Sequence, residues 1–403
     1  MTEHTNTPAL RFPEFRDEWN QNKLSDVVNV YDGTHQTPKY TNEGIKFLSV
    51  ENIKTLNSNK YISKEDFIKE FKIHPEYGDI LMTRIGDIGT PNIVNLKEPL
   101  AYYVSLALLK PININSYFLN SLILSPTVQN ELWRKTLHIA FPKKINKNEI
   151  AKVLINYPTF NEQEKIGYFF SKLDHQIELE EKKLELLEQQ KRGYMQKIFT
   201  QKLRFKDKTG NIYPNWKTTE LKDILEKIID NRGKTPDNAP SEKYPLLEVN
   251  ALGYYHPSYK KVSKFVSEST YNNWFREHLK ENDILFSTVG NTGIVSLMDN
   301  YKAVIAQNIV GLRVNNNNIP SFVYYMLSYW ENQKKIKRFQ MGAVQPSVKV
   351  SQFKFIKYLI PIKDEQEKIA NLLSEIDKVI NKQLIKIEVL KQRKQGLLQK
   401  MFI

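Results

Sequence analysis

The feature that most constrains this chain is that much of it is written twice. Laying residues 158–199 over 361–402 at a constant offset of 203, without gaps, gives 18 identities in 42 positions, where chance would give about two or three. The shared positions include Pro158 and Pro361, the word EQEKI at 162–166 and 365–369, Asp174 and Asp377, Lys191 and Lys394, and Phe199 and Phe402. Upstream the match is patchier. GDILMTRIGDIG at 78–89 matches NDILFSTVGNTG at 282–293 at an offset of 204, and Trp19 and Leu24 match Trp216 and Leu221 at 197. A drifting offset marks insertions and deletions, which collect in surface loops around a kept core. The plan is therefore variable domain (1–160), central helix (161–204), variable domain (205–363) and C-terminal helix (364–403).

The fixed segments carry helix signals. Asn161 and Asp364 are strong N-cap residues, with Glu164 and Glu367 three positions later to complete a capping box. Apolar residues then recur with alternating spacings of four and three: Ile166, Phe170, Leu173, Ile177, Leu184 and Leu187 in one copy, Ile369, Leu373, Ile376, Ile380, Ile387 and Leu390 in the other. That is a heptad seam, predicting two helices about 55 Å long that pair as an antiparallel coiled coil. Polar residues interrupt the seam at Glu180 and Gln383, then at Lys191 and Lys394. One allowed register sets Glu180 opposite Lys394 and Lys191 opposite Gln383. A simple hairpin is disfavoured, because a long domain separates the two helices.

Composition narrows the function. The 403 residues contain no cysteine and seven histidines without HxH or HExxH spacing, so disulfides, thiol catalysis and zinc sites have little to build on. No apolar run is long enough to cross a bilayer, and the N-terminus lacks the pattern of a signal peptide, so a cytoplasmic protein is expected. The net charge of +14 suits a polyanionic partner. The excess is local: 208–363 holds 22 basic against 13 acidic residues, whereas 1–160 holds 19 against 17.

Each variable domain mixes strand-like runs (46–50, 79–83, 105–110; 246–249, 283–287, 309–314) with one helical stretch (120–137; 322–339). The expected class is α+β, two α/β domains alternating with the long helices. After each central strand comes a glycine-bracketed turn, 86–89 and 290–293, read either as a tight hairpin or as a close approach to a ligand. Loop residues with nucleic-acid chemistry fall at corresponding places. They are Tyr31, Thr34, His35, Lys39 and Tyr40, then Arg84, then Lys143 and Lys144 in the first domain. In the second they are Asn231, Arg232, Lys234 and Thr235, then Thr288 and Asn291, then Gln345 and Lys349. Such side chains hold phosphates or read base edges. Catalytic motifs fail: Ile228 stands where GKT at 233–235 would need a P-loop glycine, GxSxG and methyltransferase signatures are missing, and Glu70 with Lys72 is too short a pattern for a nuclease.

With a Trp-containing start to each half, GDIL followed by a G..G turn, and a P…EQEKI helix closing each half, the chain resembles the specificity (S) subunit of type I restriction-modification systems. The pattern is most like that of low-GC Gram-positive, staphylococcal-like members. The resemblance implies a protein without catalysis, whose two target recognition domains each read one half of an asymmetric bipartite site in double-stranded DNA. It implies a coiled coil that sets the spacing and carries two methyltransferase (modification) subunits, with restriction (motor and nuclease) subunits joining in the full complex. S-adenosylmethionine, ATP and magnesium would then sit on those partners, with no cofactor, metal or membrane contact of this chain's own. The alternatives are a stand-alone nuclease or single-chain restriction-modification enzyme, and a coiled-coil scaffold without DNA binding.

Overall fold

The computed structural model describes residues 6–231, 233–240, 242–342 and 344–403. The chain forms two compact units, 1–182 with 385–403, and 183–384. Among the described residues no helix is long and apolar enough to cross a membrane.

The two units repeat one topology. In the first, a four-stranded antiparallel sheet runs in the order Val28–Asp32, Leu106–Pro111, Ile80–Ile85, Asp87–Ile93; in the second the order is Leu225–Ile229, Ile309–Val314, Ile284–Ser287, Val295–Leu297. A smaller sheet accompanies each, Tyr61–Ile62, Ile45–Leu48 and Leu100–Tyr102 against Phe265–Val266, Tyr244–Leu247 and Val304–Ile305. Each contains one parallel pairing. A two-strand ribbon joins the domain's entry to its exit, Asn20–Lys23 with Leu154–Tyr157 and Lys217–Glu220 with Lys357–Ile360. Each single helix expected from the sequence is two. Ser116–Ile123 and Pro126–Arg134 break at Ser125, whose hydroxyl accepts from Val128 N and whose following proline disfavours helical backbone. Pro320–Ser328 and Trp330–Lys337 break at Tyr329, which is extended (ψ 126°).

The long helices run Phe160–Phe199 and Lys363–Met401. They start one residue before the expected caps, at bonds from Gln163 N to Thr159 O and from Gln366 N to Ile362 O. The repeated word does other work. Glu162 and Glu365 are buried and accept a two-pronged bond from Arg11 (2.7 and 2.7 Å) and Arg204 (2.8 and 3.0 Å). Gln163 accepts from Asn115 N and donates to Pro158 O; Gln366 accepts from Ile319 N and donates to Pro361 O. Ile166 and Ile369 enter the core, whereas Glu164 and Glu367 face water. The word is thus a lock of helix start onto domain, and buried polar groups so completely paired are rigid.

Within each unit the helices pair antiparallel. In the first, Ile166, Phe170, Leu173, Ile177 and Ile387 are buried and Leu390 is half-buried. In the second, Ile369 and Leu373 are buried, with Leu184, Leu187, Ile376 and Ile380 half-buried. The register differs from the one expected. Lys394 pairs with Asp174 at 2.5 Å, Lys191 with Asp377 at 2.6 Å, and Glu180 with Lys386 at 2.5 Å. The first two pairs are one contact made twice, since 174 and 377, like 191 and 394, differ by 203. The end of each helix closes a core: Phe402, just past the second helix, packs on Trp19, Phe118 and Phe170, and Phe199, the last residue of the first, on Trp216, Phe322 and Tyr329, at centroid distances of 5.0–6.3 Å.

The aspartate of GDIL is part of this frame. Asp79, 7% exposed, accepts from Glu76 N and pairs with Lys110 at 2.6 Å, and Lys110 also holds Glu76. Asp283, 2% exposed, accepts from Lys280 N and pairs with Arg313 at 2.9 Å, and Arg313 also holds Glu277. Both cations stand on the neighbouring central strand.

Candidate nucleic-acid interface

In each domain the three loop regions singled out from sequence meet at one end of the central sheet. In the first, Thr34 N donates to Tyr102 O and Thr34 O accepts from Val104 N, while Arg84 N donates to Ser105 O. Gly86 N donates to Lys143 O at 2.8 Å, Leu137 N to Lys144 O at 2.8 Å, and Ile145 N to Arg84 O at 3.0 Å. In the second, Thr288 N donates to Asn308 O, Val348 N to Thr288 O and Gly290 N to Pro346 O, each at 2.8 Å. Gln307 N lies 3.4 Å from Thr235 Oγ1.

The glycine turns are hairpins and docking points at once. Gly86 and Gly89 have φ of 79° and 87°, Gly290 and Gly293 of 78° and 85°, values that favour glycine. Gln129 Nε2 donates to both Gly89 O and Ile123 O (2.7 Å each), tying the turn to the helix pair; Gln333 Nε2 does the same to Gly293 O (2.7 Å) and Leu327 O (2.6 Å). These clamps escaped the sequence reading, although 129 and 333 share the offset of 204 that relates the turns.

The candidate residues divide by burial. Arg84 is 5% exposed: its guanidinium pairs with Asp32 and its Nε donates to Ile145 O at 3.0 Å. It pins the loops together and does not face outward. Its counterpart Thr288 is likewise buried, as is Asn231, whose amide donates to Lys234 O and accepts from Gly233 N. Tyr31 is half-buried on its strand against the core of the small sheet. Nearby Tyr102 donates to Asp32 O at 3.0 Å, its phenol pushed up by burial and then by the charges of Asp32 and Asp79.

Facing outward in the first domain are His35, Lys39, Tyr40, Lys143 and Lys144, with Thr34 half-exposed; in the second, Lys234, Thr235, Asn291, Gln345 and Lys349. Arg232 lies outside the described residues. Thr235 and Gln345 share a cleft of about 410 Å³ with Gly233, Val289, Gln307 and Asn308, closed on one side by the Glu248–Lys264 ion pair at 2.7 Å. Amides and hydroxyls line it, groups able to donate and accept against base edges. The first domain presents three lysines with His35 and Tyr40, the second two lysines with Thr235, Asn291 and Gln345. The two displays sit on one frame and differ in chemistry.

The model of the type I restriction modification DNA specificity domain matches this chain twice, at residues 16–189 and 213–390, so the chain belongs to that family. Among relatives, it is 27% identical to a putative type I restriction enzyme MjaX specificity subunit of Methanocaldococcus jannaschii, over 96% of this chain and 93% of that one. It is 24% identical to a putative type I specificity subunit of Mycoplasma pneumoniae, over 88% of each. Among solved structures, the type I S subunit of M. genitalium superposes with a TM-score of 0.61 at 15% identity, covering 98% of this chain and 99% of that one. A chain from a structure describing assembly and conformational transition of the type I restriction-modification system superposes at 0.53 and 15% identity, covering 94% and 96%. These likenesses lend no support to the stand-alone nuclease.

Proposed function

We propose that this member of the type I specificity family is the DNA-reading, non-catalytic subunit of a type I restriction-modification complex, acting in the cytoplasm on double-stranded DNA. The observation that carries this reading is the pair of unlike side-chain displays on one repeated loop frame. Two copies of a reader with different surfaces suit two different half-sites, as an asymmetric bipartite target demands. The first half-site falls to the loops of Lys39, Tyr40, Lys143 and Lys144. The second falls to those of Lys234, Thr235, Asn291, Gln345 and Lys349. The long helices set the spacing and receive two methyltransferase subunits, and apolar side chains left exposed on them support that role: Tyr168, Leu179, Ile385 and Val389 in the first unit, Leu186, Val379 and Leu384 in the second. Restriction subunits join the full complex. S-adenosylmethionine, ATP and magnesium belong to those partners.

Whole-genome mapping of adenine methylation, in cells carrying this chain with its methyltransferase, tests the reading. Replacing residues 1–160 by the same region of a relative changes one half of the methylated motif and leaves the other. An unchanged motif refutes two independent readers.

A further inference from the structure

A loop late in the first recognition domain, between Leu137 and Lys144, carries an apolar tip that neither the core nor the helix seam accounts for. Ile139 and Phe141 are fully exposed (100% and 103%), and Trp133 (51%) and Leu137 (40%), close by in sequence, are exposed as well. A water-exposed aromatic on a loop tip has lost the burial that ordinarily stabilises it, and an apolar cluster of this kind marks a binding surface.

The tip stands on a fixed base. The Leu137–Lys144 bridge closes the loop, Gly86 N holds Lys143 O, and the buried Arg84 holds Ile145 through both backbone and side chain. His138 packs edge-on against Trp133 at 4.5 Å, and Lys143 lies over the same ring at 4.4 Å. Positive charge predominates around the tip: Arg134, Lys135, Lys143, Lys144 and Lys147 lie between 132 and 148, with Arg134 paired to the flanking Glu131 at 2.9 Å. Across the glycine turn Asp87 is engaged by the hydroxyls of Thr83 and Thr90. An apolar point on a rigid stem, ringed by cations, has the make-up of a side chain that enters a base stack while its neighbours hold the phosphates.

We propose that Phe141, backed by Ile139, is a wedge that inserts at a base step of the half-site read by the first domain, unstacking and bending the duplex there. Base steps differ in the cost of unstacking, so the wedge adds specificity at a position that no hydrogen bond reads. The proposal rests on the DNA-reading function above and adds a contact class to it.

The test uses the full chain assembled with its methyltransferase, on duplexes carrying the target found by methylation mapping, with affinity measured at fixed salt. Because Phe141 is fully exposed, Phe141→Ala leaves the fold intact. It weakens binding to the intact duplex by about tenfold to a hundredfold, and most of that loss is recovered on a duplex with a mismatch, already unstacked, at one step of the first half-site. Lys143→Ala weakens binding to both duplexes alike and lowers the salt slope by about one. Equal binding by Phe141→Ala and the parent, or an equal loss on intact and mismatched duplexes at every step, overturns the wedge while DNA reading stands. Unchanged DNA binding with failed methyltransferase assembly assigns the patch to a protein partner and overturns it too. If the parent complex binds its mapped target no better than random DNA, the underlying reading fails instead.

Discussion

Removing Arg204 exposes what the repeated word is for. Arg204→Ala takes away guanidinium donors at 2.8 and 3.0 Å and leaves Glu365, 0% exposed, with one remaining side-chain donor, Trp216 Nε1 at 3.0 Å. A buried carboxylate stripped of its cation costs about 3–5 kcal/mol, a large part of a total stability of about 5–15 kcal/mol. Replacing both partners by apolar residues, Arg204→Met with Glu365→Leu, removes the buried charge; the carbonyls of Tyr213 and Pro214 lose the same Arg204 donor in both variants, and the double variant adds only the unpaired indole N–H of Trp216, at about 1–3 kcal/mol. The double variant is therefore the more stable of the two. Urea denaturation followed by tryptophan fluorescence reads the stabilities, and hydrogen exchange of the first turns of the helix starting at Lys363 locates the loss. An Arg204→Ala cost below about 1 kcal/mol, or a double variant less stable than the single, would refute the argument that the pair is a lock whose halves are safe only together.

Gly293→Ala sets a Cβ 2.5 Å from Gln333 Oε1 at a φ of +85°, and Gly290→Ala meets open space at a similar φ. The first loses about 2–3 kcal/mol of stability and weakens binding to the second half-site, the second about 1 kcal/mol; equal melting shifts for the two would dismiss the clamp. For pH, Lys227 and then Arg313 hold Glu277 down from 4.5 to about 2. A carboxyl depressed in the folded state contributes fully above its unfolded value, and the contribution is lost as pH falls from about 4.5 towards 2. Melting temperature recorded across that window falls more steeply for the parent than for Glu277→Gln, and parallel curves would contradict it.

Much of this was legible in sequence because duplication doubles every signal. The seam, the glycine turns and the central strands each announce themselves twice, and the structure places them close to the expected bounds. What was misread turned on chemistry that does not show in spacing. Asn161 and Asp364 look like caps, yet the buried partners in those words are Glu162 and Glu365, whose arginines lie some 150 residues away in sequence (162 to 11, 365 to 204). The coiled-coil register was recoverable: Asp174, Asp377, Lys191 and Lys394 were all visible as identities, and an antiparallel pairing that repeats itself must join each aspartate to the lysine of the other helix. Arg84 carries the residue type of a DNA contact and the burial of a strut. Nothing in a single sequence separates those roles, since burial is set by Asp32 and Ile145 from distant segments.

The way the frame holds its loops explains how one fold can carry two readers. Loop ends are fixed through backbone groups: Gly86 N meets the carbonyl of Lys143, and Gly290 N meets the carbonyl of Pro346. A carbonyl accepts the same bond whatever side chain its residue bears, so Lys143–Lys144 in one domain and Gln345–Pro346 in the other hang from the same hook. The clamps of Gln129 and Gln333 also end on carbonyl oxygens. Side chains that meet solvent can then change at little cost to stability, of the order of ±0.5 kcal/mol for ordinary surface positions. The buried pairs Arg11–Glu162, Arg204–Glu365, Lys110–Asp79 and Arg313–Asp283 cannot change singly without leaving a buried charge. Selection for a new DNA target can therefore act on the loops of one domain while the frame and the other domain stay as they are.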